Sequence, residues 1–126
     1  MSRHDVEHGS PGWCAWVWDC LVEALERLAL PAAQQVRLTW LGRIPDELAL
    51  HFHEAWLLVP QLVERGWIGA EPRAALPAVD QLLTAMSDHD TPDRAVLWIL
   101  AGLHDDACWA RARDLAAQAL APLHPA

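Results

Sequence analysis

The most constraining feature of this 126-residue sequence is a stripe of apolar residues between positions 44 and 66. Its members recur at intervals of three and four residues, which is the spacing of one face of an α-helix. No segment shows the alternation of apolar and polar residues that is typical of a half-buried β-strand. We therefore expect an all-α protein without a sheet. The stripe consists of Leu48, Phe52, Ala55, Trp56, Val59, Leu62 and Val63.

Proline and glycine residues divide the helical pattern into five or six short helices. Ser10 is the expected N-cap of the first helix, with Pro11 at its first helical position. Pro60 lies inside the apolar stripe, so we expect it to bend that helix or to divide it in two. Gly66 is the expected end of that element. The predicted helices span residues 13–30, 32–41, 44–65, 73–87, 92–103 and 105–120.

The second helix is expected to end at Gly42, and Thr91 is the expected N-cap of the fifth. The last helix is expected to begin at Asp105 or Asp106 as N-cap. It is expected to turn Ala107 and either Trp109 or Ala110 toward the core.

The sequence predicts a single domain, because 126 residues are enough for one hydrophobic core and not for two. Residues 1–10 are polar and are expected to form a flexible N-terminal arm. Residues 11–121 are expected to form the helical domain, and residues 122–126, which contain Pro122 and Pro125, a C-terminal tail. Short helices with short connections predict a compact bundle.

The formal net charge of −8 limits the classes of partner. Nucleic acids and anionic membrane surfaces both require clustered positive charge, so we expect neither as a partner. The polar start of the chain is unlike a signal peptide. The apolar run from 13 to 30 is interrupted by charged residues and does not meet the criterion for a membrane span. The sequence thus predicts a cytoplasmic protein, and its lack of Lys is typical of high-GC bacterial genes.

Residues suited to common enzyme chemistry are sparse. The sequence has no Tyr and no Lys, no Ser lies in a G-x-S-x-G turn, and no glycine-rich phosphate loop is present. Cys14, Cys20 and Cys108 are too few and too unevenly placed for a disulfide framework, and we interpret them as small buried thiols. These observations favour a protein that is not an enzyme and that has no cofactor.

Tryptophan is unusually frequent, with eight residues, and three of them lie close together in the first helix. The segment containing Trp13, Trp16, Val17 and Trp18 is apolar on nearly all sides, and a small bundle cannot easily cover every side of one helix. An interface, a homodimer face, a ligand pocket or the core itself would cover it. The favoured hypothesis is a protein-interaction domain that uses these four residues.

The partner expected for this domain is another protein, most simply a basic one because the chain is acidic, or a second copy of the chain. One concrete form is a neutralising or adaptor protein, in the manner of bacterial immunity proteins. That form rests on size, acidity and helical architecture alone.

An alternative hypothesis is a metal- or small-molecule-binding protein. Glu47, His51 and Glu54 are separated by four and three residues, which places them on one face of the third helix. Two carboxylates flanking an imidazole are suited to a divalent metal, or to His51 acting as a general base. A solvated helix face explains the same residues more simply.

His53 leaves the same helix about 200° away from His51, so the two are not a chelating pair on an intact helix. Its neighbours Leu50 and Leu57 suggest that it flanks the core. We therefore expect His53 to be partly buried.

The segment Leu-Ala-Gly-Leu-His104-Asp105 resembles the helical His-Asp segment of the HD-type metal phosphohydrolases. That family pairs the doublet with an upstream His, for which His51 or His53 could stand, and with a much later Asp. The resemblance implies a divalent metal held in the bundle interior. The sequence departs from the family at Cys108, where the family has Lys, and no later Asp lies at a suitable distance. Helix capping by Asp105 is the simpler interpretation.

Overall fold

The computed structural model describes residues 10–38, 43–87 and 92–123, without the side chains of residues 70–74 and 92–94. These ranges contain α-helices and short 3₁₀ segments and no strand, so the predicted all-α fold is confirmed. Most of the predicted arm, and residues 124–126 of the predicted tail, lie outside the described residues. The α-helices are α1 (Pro11–Ala29), α2 (Ala32–Gln35), α3 (Ile44–Trp56), α4 (Val59–Glu64), α5 (Ala70–Met86), α6 (Leu100–Asp105) and α7 (Ala107–Leu120), and the 3₁₀ segments are Pro92–Trp98 and Ala121–Leu123.

Helix α1 lies at the centre of the bundle. It packs against α7 and α3, and α5 packs against α7 and α3 in turn. Ser10 Oγ accepts a hydrogen bond from the Trp13 N–H at 3.2 Å, and Pro11 follows at the first helical position, as predicted. Because apolar residues on several sides of α1 are buried by the surrounding helices, one continuous core fills the bundle.

The long amphipathic element is divided in two, as predicted from Pro60. Helix α3 ends at Trp56, Leu57 and Leu58 form the break, and α4 begins at Val59. Pro60 has no N–H to donate to the carbonyl of Trp56, so the helix cannot continue through this point unchanged. It lies instead in the first turn of α4, where no donor is required.

Gly66 ends α4, as predicted. Its φ of 78° is in the left-handed region that favours glycine. The Gly66 N–H donates to the Val63 carbonyl at 3.1 Å, and the Trp67 N–H donates to the Leu62 carbonyl at 2.8 Å. These two bonds form a Schellman motif, which satisfies carbonyl groups at the end of the helix.

The prediction of a helix over 32–41 is wrong for residues 36–38, and residues 39–41 lie outside the described residues. After Gln35 the hydrogen bonds span three residues instead of the four of an α-helix. The Arg37 N–H donates to the Gln34 carbonyl and the Leu38 N–H to the Gln35 carbonyl, each at 3.1 Å. Gln35 is fully buried against the end of α1, which fixes the direction of this turn. The predicted end at Gly42 lies outside the described residues.

Helix α5 begins at Ala70, earlier than the predicted start at 73, and it continues through Pro77. Pro72 lies in the first turn, where a helix has no use for the N–H. Pro77 removes one hydrogen bond from the interior, and helix packing compensates for the loss. That packing buries Leu76, Val79, Leu83 and Met86.

The predicted helix over 92–103 is two elements. A 3₁₀ segment reaches Trp98, Ile99 is extended with φ −114° and ψ 163°, and α6 follows. The break lets α6 fold back against the 3₁₀ segment so closely that a Cβ added at Gly102 would lie 1.9 Å from the Val96 carbonyl oxygen. The predicted N-cap, Thr91, lies outside the described residues.

Asp106 caps α7, as predicted, with its Oδ1 accepting the Cys108 N–H at 2.7 Å. Of the two alternatives that the sequence left open, Trp109 and not Ala110 faces the core. Ala107, expected to point inward, is exposed at the start of the helix.

A buried polar network joins the end of α1 to α6 and α7. The Gln35 amide nitrogen donates to the carbonyls of Arg27 and Leu28, at 3.1 and 2.9 Å. Its amide oxygen accepts a hydrogen bond from Arg113 at 3.0 Å, and the same guanidinium nitrogen donates to the Leu103 carbonyl at 3.0 Å. Desolvation lowers the pKa of Arg113 from its ordinary value, and the negative charge of Asp114 opposes that shift. We call these residues the Gln35–Arg113 network.

Replacing Gln35 by Ala is expected to lower the free energy of unfolding by about 2–3 kcal/mol, because carbonyls of α1 and the Arg113 guanidinium lose a buried partner. Urea denaturation measures the change. Gln34→Ala is the matched control, since Gln34 is exposed and its loss is expected to change stability by less than about 0.5 kcal/mol. Equal effects of the two variants would contradict a structural role for the network.

Replacing Gly102 by Ala is expected to destabilise the protein by about 1–3 kcal/mol, because the added methyl group meets the Val96 carbonyl. In an unobstructed helix the same change stabilises by about 1 kcal/mol, so the sign of the effect is diagnostic. Thermal denaturation measures it. Gly69→Ala is the control, because no atom lies within 4 Å of its added Cβ. A stabilised Gly102→Ala variant would show that α6 does not pack this closely.

Candidate interaction surface

Two exposed leucines lie among polar residues on the outward side of α3, Leu50 within the helix and Leu57 directly after its last residue, where φ and ψ are still helical. Leu50 and Leu57 are 46% and 61% exposed, and their spacing of seven places them on the same side of the helix. Asp46, His53 and Glu54 are exposed on that side as well. We call these five residues the α3 ridge. It lies opposite the apolar stripe that the sequence predicted, whose residues Leu48, Phe52 and Ala55 are buried.

On one flank of the α3 ridge lies a cavity of about 590 Å³, between α3, α5 and the first 3₁₀ segment. The buried side chains of Phe52 and Leu83 lie at its base. We call it the α3–α5 cavity, and its polar lining residues are Arg43, Asp46, His53, Asp80, Thr84 and Ser87. The Nδ1 atom of His53 lies 3.9 Å from Oδ1 of Asp80, so the two facing helices present neighbouring polar groups here.

Trp98 forms part of the cavity wall, and its ring is held in place by two contacts. Its indole N–H donates to the Met86 carbonyl at 3.0 Å. Its ring meets Trp109 edge to face, with 5.5 Å between centroids and 82° between planes. The Trp109 N–H donates in turn to the Leu97 carbonyl at 2.6 Å. The 3₁₀ segment is therefore fixed to α5 and α7 by indole groups.

On the other flank lies a groove of about 290 Å³, which we call the α1–α3 groove. Trp16 and Cys20 line it from α1, and His51, Glu54 and Leu58 line it from the opposite side. An ion pair between Glu23 and Arg27 lies along its α1 edge. The α3 ridge therefore projects between two depressions.

Two of the four expected interface residues are core residues. Trp13 is 4% exposed and Val17 is not exposed, so neither has surface to offer to a partner. The bundle covers α1 on more sides than expected from its size, because α3, α4 and α7 all pack against it. Trp18 is half-buried against Trp67, with 6.3 Å between ring centroids. Trp16 is half-buried and lines the α1–α3 groove.

The residues of the metal hypothesis fall in separate places. His51 Nε2 lies 3.2 Å from Glu47 Oε2, which is an ordinary pair across one helix turn. His104 Nδ1 lies 2.7 Å from Asp105 Oδ1, and both side chains are at least half exposed at the end of α6. Among the side chains that the structure describes, no three His, Cys, Asp or Glu residues are arranged to hold a metal ion. The metal hypothesis, and with it the HD-type resemblance, gains no geometric support here.

His53 is exposed, with 55% of its side chain accessible, so the prediction that it is partly buried beside the core is wrong. The error came from assigning Leu50 and Leu57 to the core. Neither belongs to the apolar stripe, and their spacing of seven was the signal that they share another face. Asp80 and Trp98 were also missed as site residues, because their approach to α3 depends on the tertiary fold.

The chain matches no protein-family model, no curated protein and no solved structure. None of the described helices has the length and apolar character needed to cross a membrane. The functional inferences therefore rest on the residues and surfaces described above.

Replacing Trp98 by Phe is expected to lower the free energy of unfolding by about 1–2 kcal/mol, because the Met86 carbonyl loses its donor while an aromatic ring is retained. Urea denaturation of the variant and the wild type measures this difference in the free energy of unfolding. Trp67→Phe is the comparison, since Trp67 is 38% exposed and a smaller loss is expected there. A Trp98→Phe variant as stable as the parent would contradict the structural role of this hydrogen bond.

Proposed function

We propose that this chain is a non-enzymatic protein-interaction domain that binds a basic protein through the α3 ridge. The observation that carries the proposal is the pair of exposed leucines, Leu50 and Leu57, on a face that also bears Asp46 and Glu54. Apolar residues at the centre of a polar surface are typical of protein interfaces.

Burial of the two leucines supplies the affinity in this proposal. A fully buried Leu side chain contributes about 1.5–3 kcal/mol relative to an exposed one, so covering the ridge is favourable. The carboxylates supply the selection of partner. A net charge of −8 attracts a positively charged surface over long range and raises the association rate.

The charge of the ridge favours a different protein over a second copy of this chain. A two-fold symmetric dimer places the same patch of each copy against itself. Asp46 and Glu54 of one copy would then face acidic residues of the other, and like charges oppose association. A basic partner would instead neutralise them. A neutralising or adaptor protein is the form that this chemistry fits, and it needs no cofactor.

A second group of exposed apolar side chains lies where the first 3₁₀ segment meets α6. It consists of Val96, Ile99 and Leu100. In a 3₁₀ helix, residues three apart share a side, so Ala95 and Trp98 face the cavity while Val96 leaves on another side. Nothing in the structure indicates what covers this group, and it provides a matched control for the ridge.

Selection from a random-peptide display library tests the proposal. The wild-type protein is expected to enrich peptides that combine Arg or Lys with apolar residues. The double variant Leu50→Ser/Leu57→Ser is expected to lose this enrichment, because burial of the ridge then yields little free energy. Val96→Ser, which removes an equally exposed apolar side chain elsewhere, is expected to select the same peptides as the wild type.

Three outcomes would overturn the proposal: selected peptides without net positive charge, equal enrichment by the double variant, or loss of enrichment in Val96→Ser alone. Circular dichroism of each variant establishes that the helical fold is retained. The replaced side chains are about half exposed or more, so folding is expected to persist.

A further inference from the structure

We infer that the α3–α5 cavity binds an arginine side chain of the basic partner. This inference rests on the proposed function, and it names the group that the partner inserts beside the α3 ridge. The ridge and the cavity share Asp46, Leu50 and His53, so a protein that covers the ridge also closes the cavity.

The size of the cavity fits an inserted side chain together with part of the backbone that carries it. Its volume of about 590 Å³ falls within the range of about 300–1,000 Å³ that is usual for binding pockets. The accessible lining is mixed. Leu50 is 46% exposed at the cavity edge, and Trp98 is half-buried in the wall.

The carboxylates of the lining select a cation. Asp46 is contributed by α3 and Asp80 by α5, so negative charge faces the cavity from two helices. Asp80 keeps 26% of its side chain accessible, and a group entering the cavity would remove that remaining water. An apolar group would leave the carboxylate desolvated without a partner, which is costly. An anion would be repelled.

Arg43 also lines the cavity, and it is exposed at the start of α3. Its charge offsets that of one carboxylate, and the second carboxylate leaves the three charged residues Arg43, Asp46 and Asp80 net negative. Arg43 and Asp46 are both exposed, so solvent screens both charges, and the carboxylate that acts most strongly on an occupant is that of Asp80, whose side chain is 26% accessible. The lining therefore still favours a positively charged occupant.

The wall residue Trp98 favours arginine over lysine. A guanidinium is planar, stacks on aromatic rings and donates hydrogen bonds to carboxylates in pairs. An ammonium group is more strongly hydrated and has no flat apolar face, so it gains less from a wall of this kind. Trp98 is fixed by Met86 and Trp109, so its ring is ready to receive the cation without rearrangement.

Titration with blocked arginine, N-acetyl-arginine amide, followed by ¹⁵N-resolved NMR tests the inference. The expected result is a saturable shift of the Trp98 indole N–H together with the backbone amides of His53 and Asp80. Blocked citrulline has nearly the same shape without the charge, and it is expected to produce no saturable shift at these positions.

Asp80→Asn is expected to weaken the binding of blocked arginine by about tenfold or more, because the guanidinium then loses a charged hydrogen-bond acceptor. Glu26→Gln makes the same change in net charge on an exposed site of α1 and is expected to leave binding unchanged. Asp46→Asn provides a second test at an exposed residue, in case Asp80→Asn does not fold.

The inference is overturned if blocked citrulline shifts the same signals as strongly, if the shifts occur away from the cavity, or if both aspartate variants bind as the wild type does. Ridge-dependent selection of basic peptides without arginine binding in the cavity would remove this inference and leave the proposed function intact. Arginine binding in the cavity without ridge-dependent selection of peptides would remove the proposed function and leave the cavity as an arginine site.

Discussion

The bundle depends on a hydrogen-bonded glutamine at the end of its central helix. The last carbonyls of an α-helix have no partner within the helix, and those of α1 point into a region that the fold buries. Gln35 donates to two of them, at Arg27 and Leu28, and Arg113 completes the arrangement from α7. Because the amide and the guanidinium hydrogen-bond to each other, the buried polar groups here have partners, although desolvation still lowers the pKa of Arg113.

The surface proposed for binding results from the way in which α3 packs against the core. The apolar stripe of α3 is buried in the core, and Leu50 and Leu57 lie on the opposite side. The break before α4 then lets Val59 and Leu62 reach the core from a new direction. The outward side of α3 is thus exposed to solvent. The depressions on its flanks are formed by elements that approach it from either side.

The sequence predicted the elements whose signals are local. These signals depend on residues within one helical turn, as at the N-cap Ser10, the division at Pro60, the end at Gly66 and the cap at Asp106. The prediction failed for the segment after Gln35 and for the break at Ile99, because both depend on how two elements pack together. Gln35 packs against the end of α1 and Arg113, and Gly102 packs against Val96. The need for glycine at position 102 is not evident from the sequence, because it comes from the close packing of Gly102 against Val96.

The candidate site was predictable only in part, for the same reason. The acidity and the polar face of α3 were evident, whereas Asp80 and Trp98 reach that helix only through the tertiary fold. The Trp-rich segment misled the sequence argument, since the apolar surface of α1 could not be divided between core and interface without knowing how many helices surround it. Trp13 and Val17 are core residues, with Val17 buried beneath the α1–α3 groove, whereas Trp16 is half-buried and lines that groove.

The long span of the Gln35–Arg113 contact has a consequence for how the chain folds as it is made. The indole of Trp98 finds its carbonyl only 12 residues away, and so does that of Trp109, so the C-terminal half closes short loops. The amide oxygen of Gln35, in contrast, accepts its hydrogen bond from Arg113, 78 residues later. During synthesis α1 and α2 therefore emerge before the guanidinium that completes the Gln35–Arg113 network, and α1 packs against α7 only after α7 has been translated.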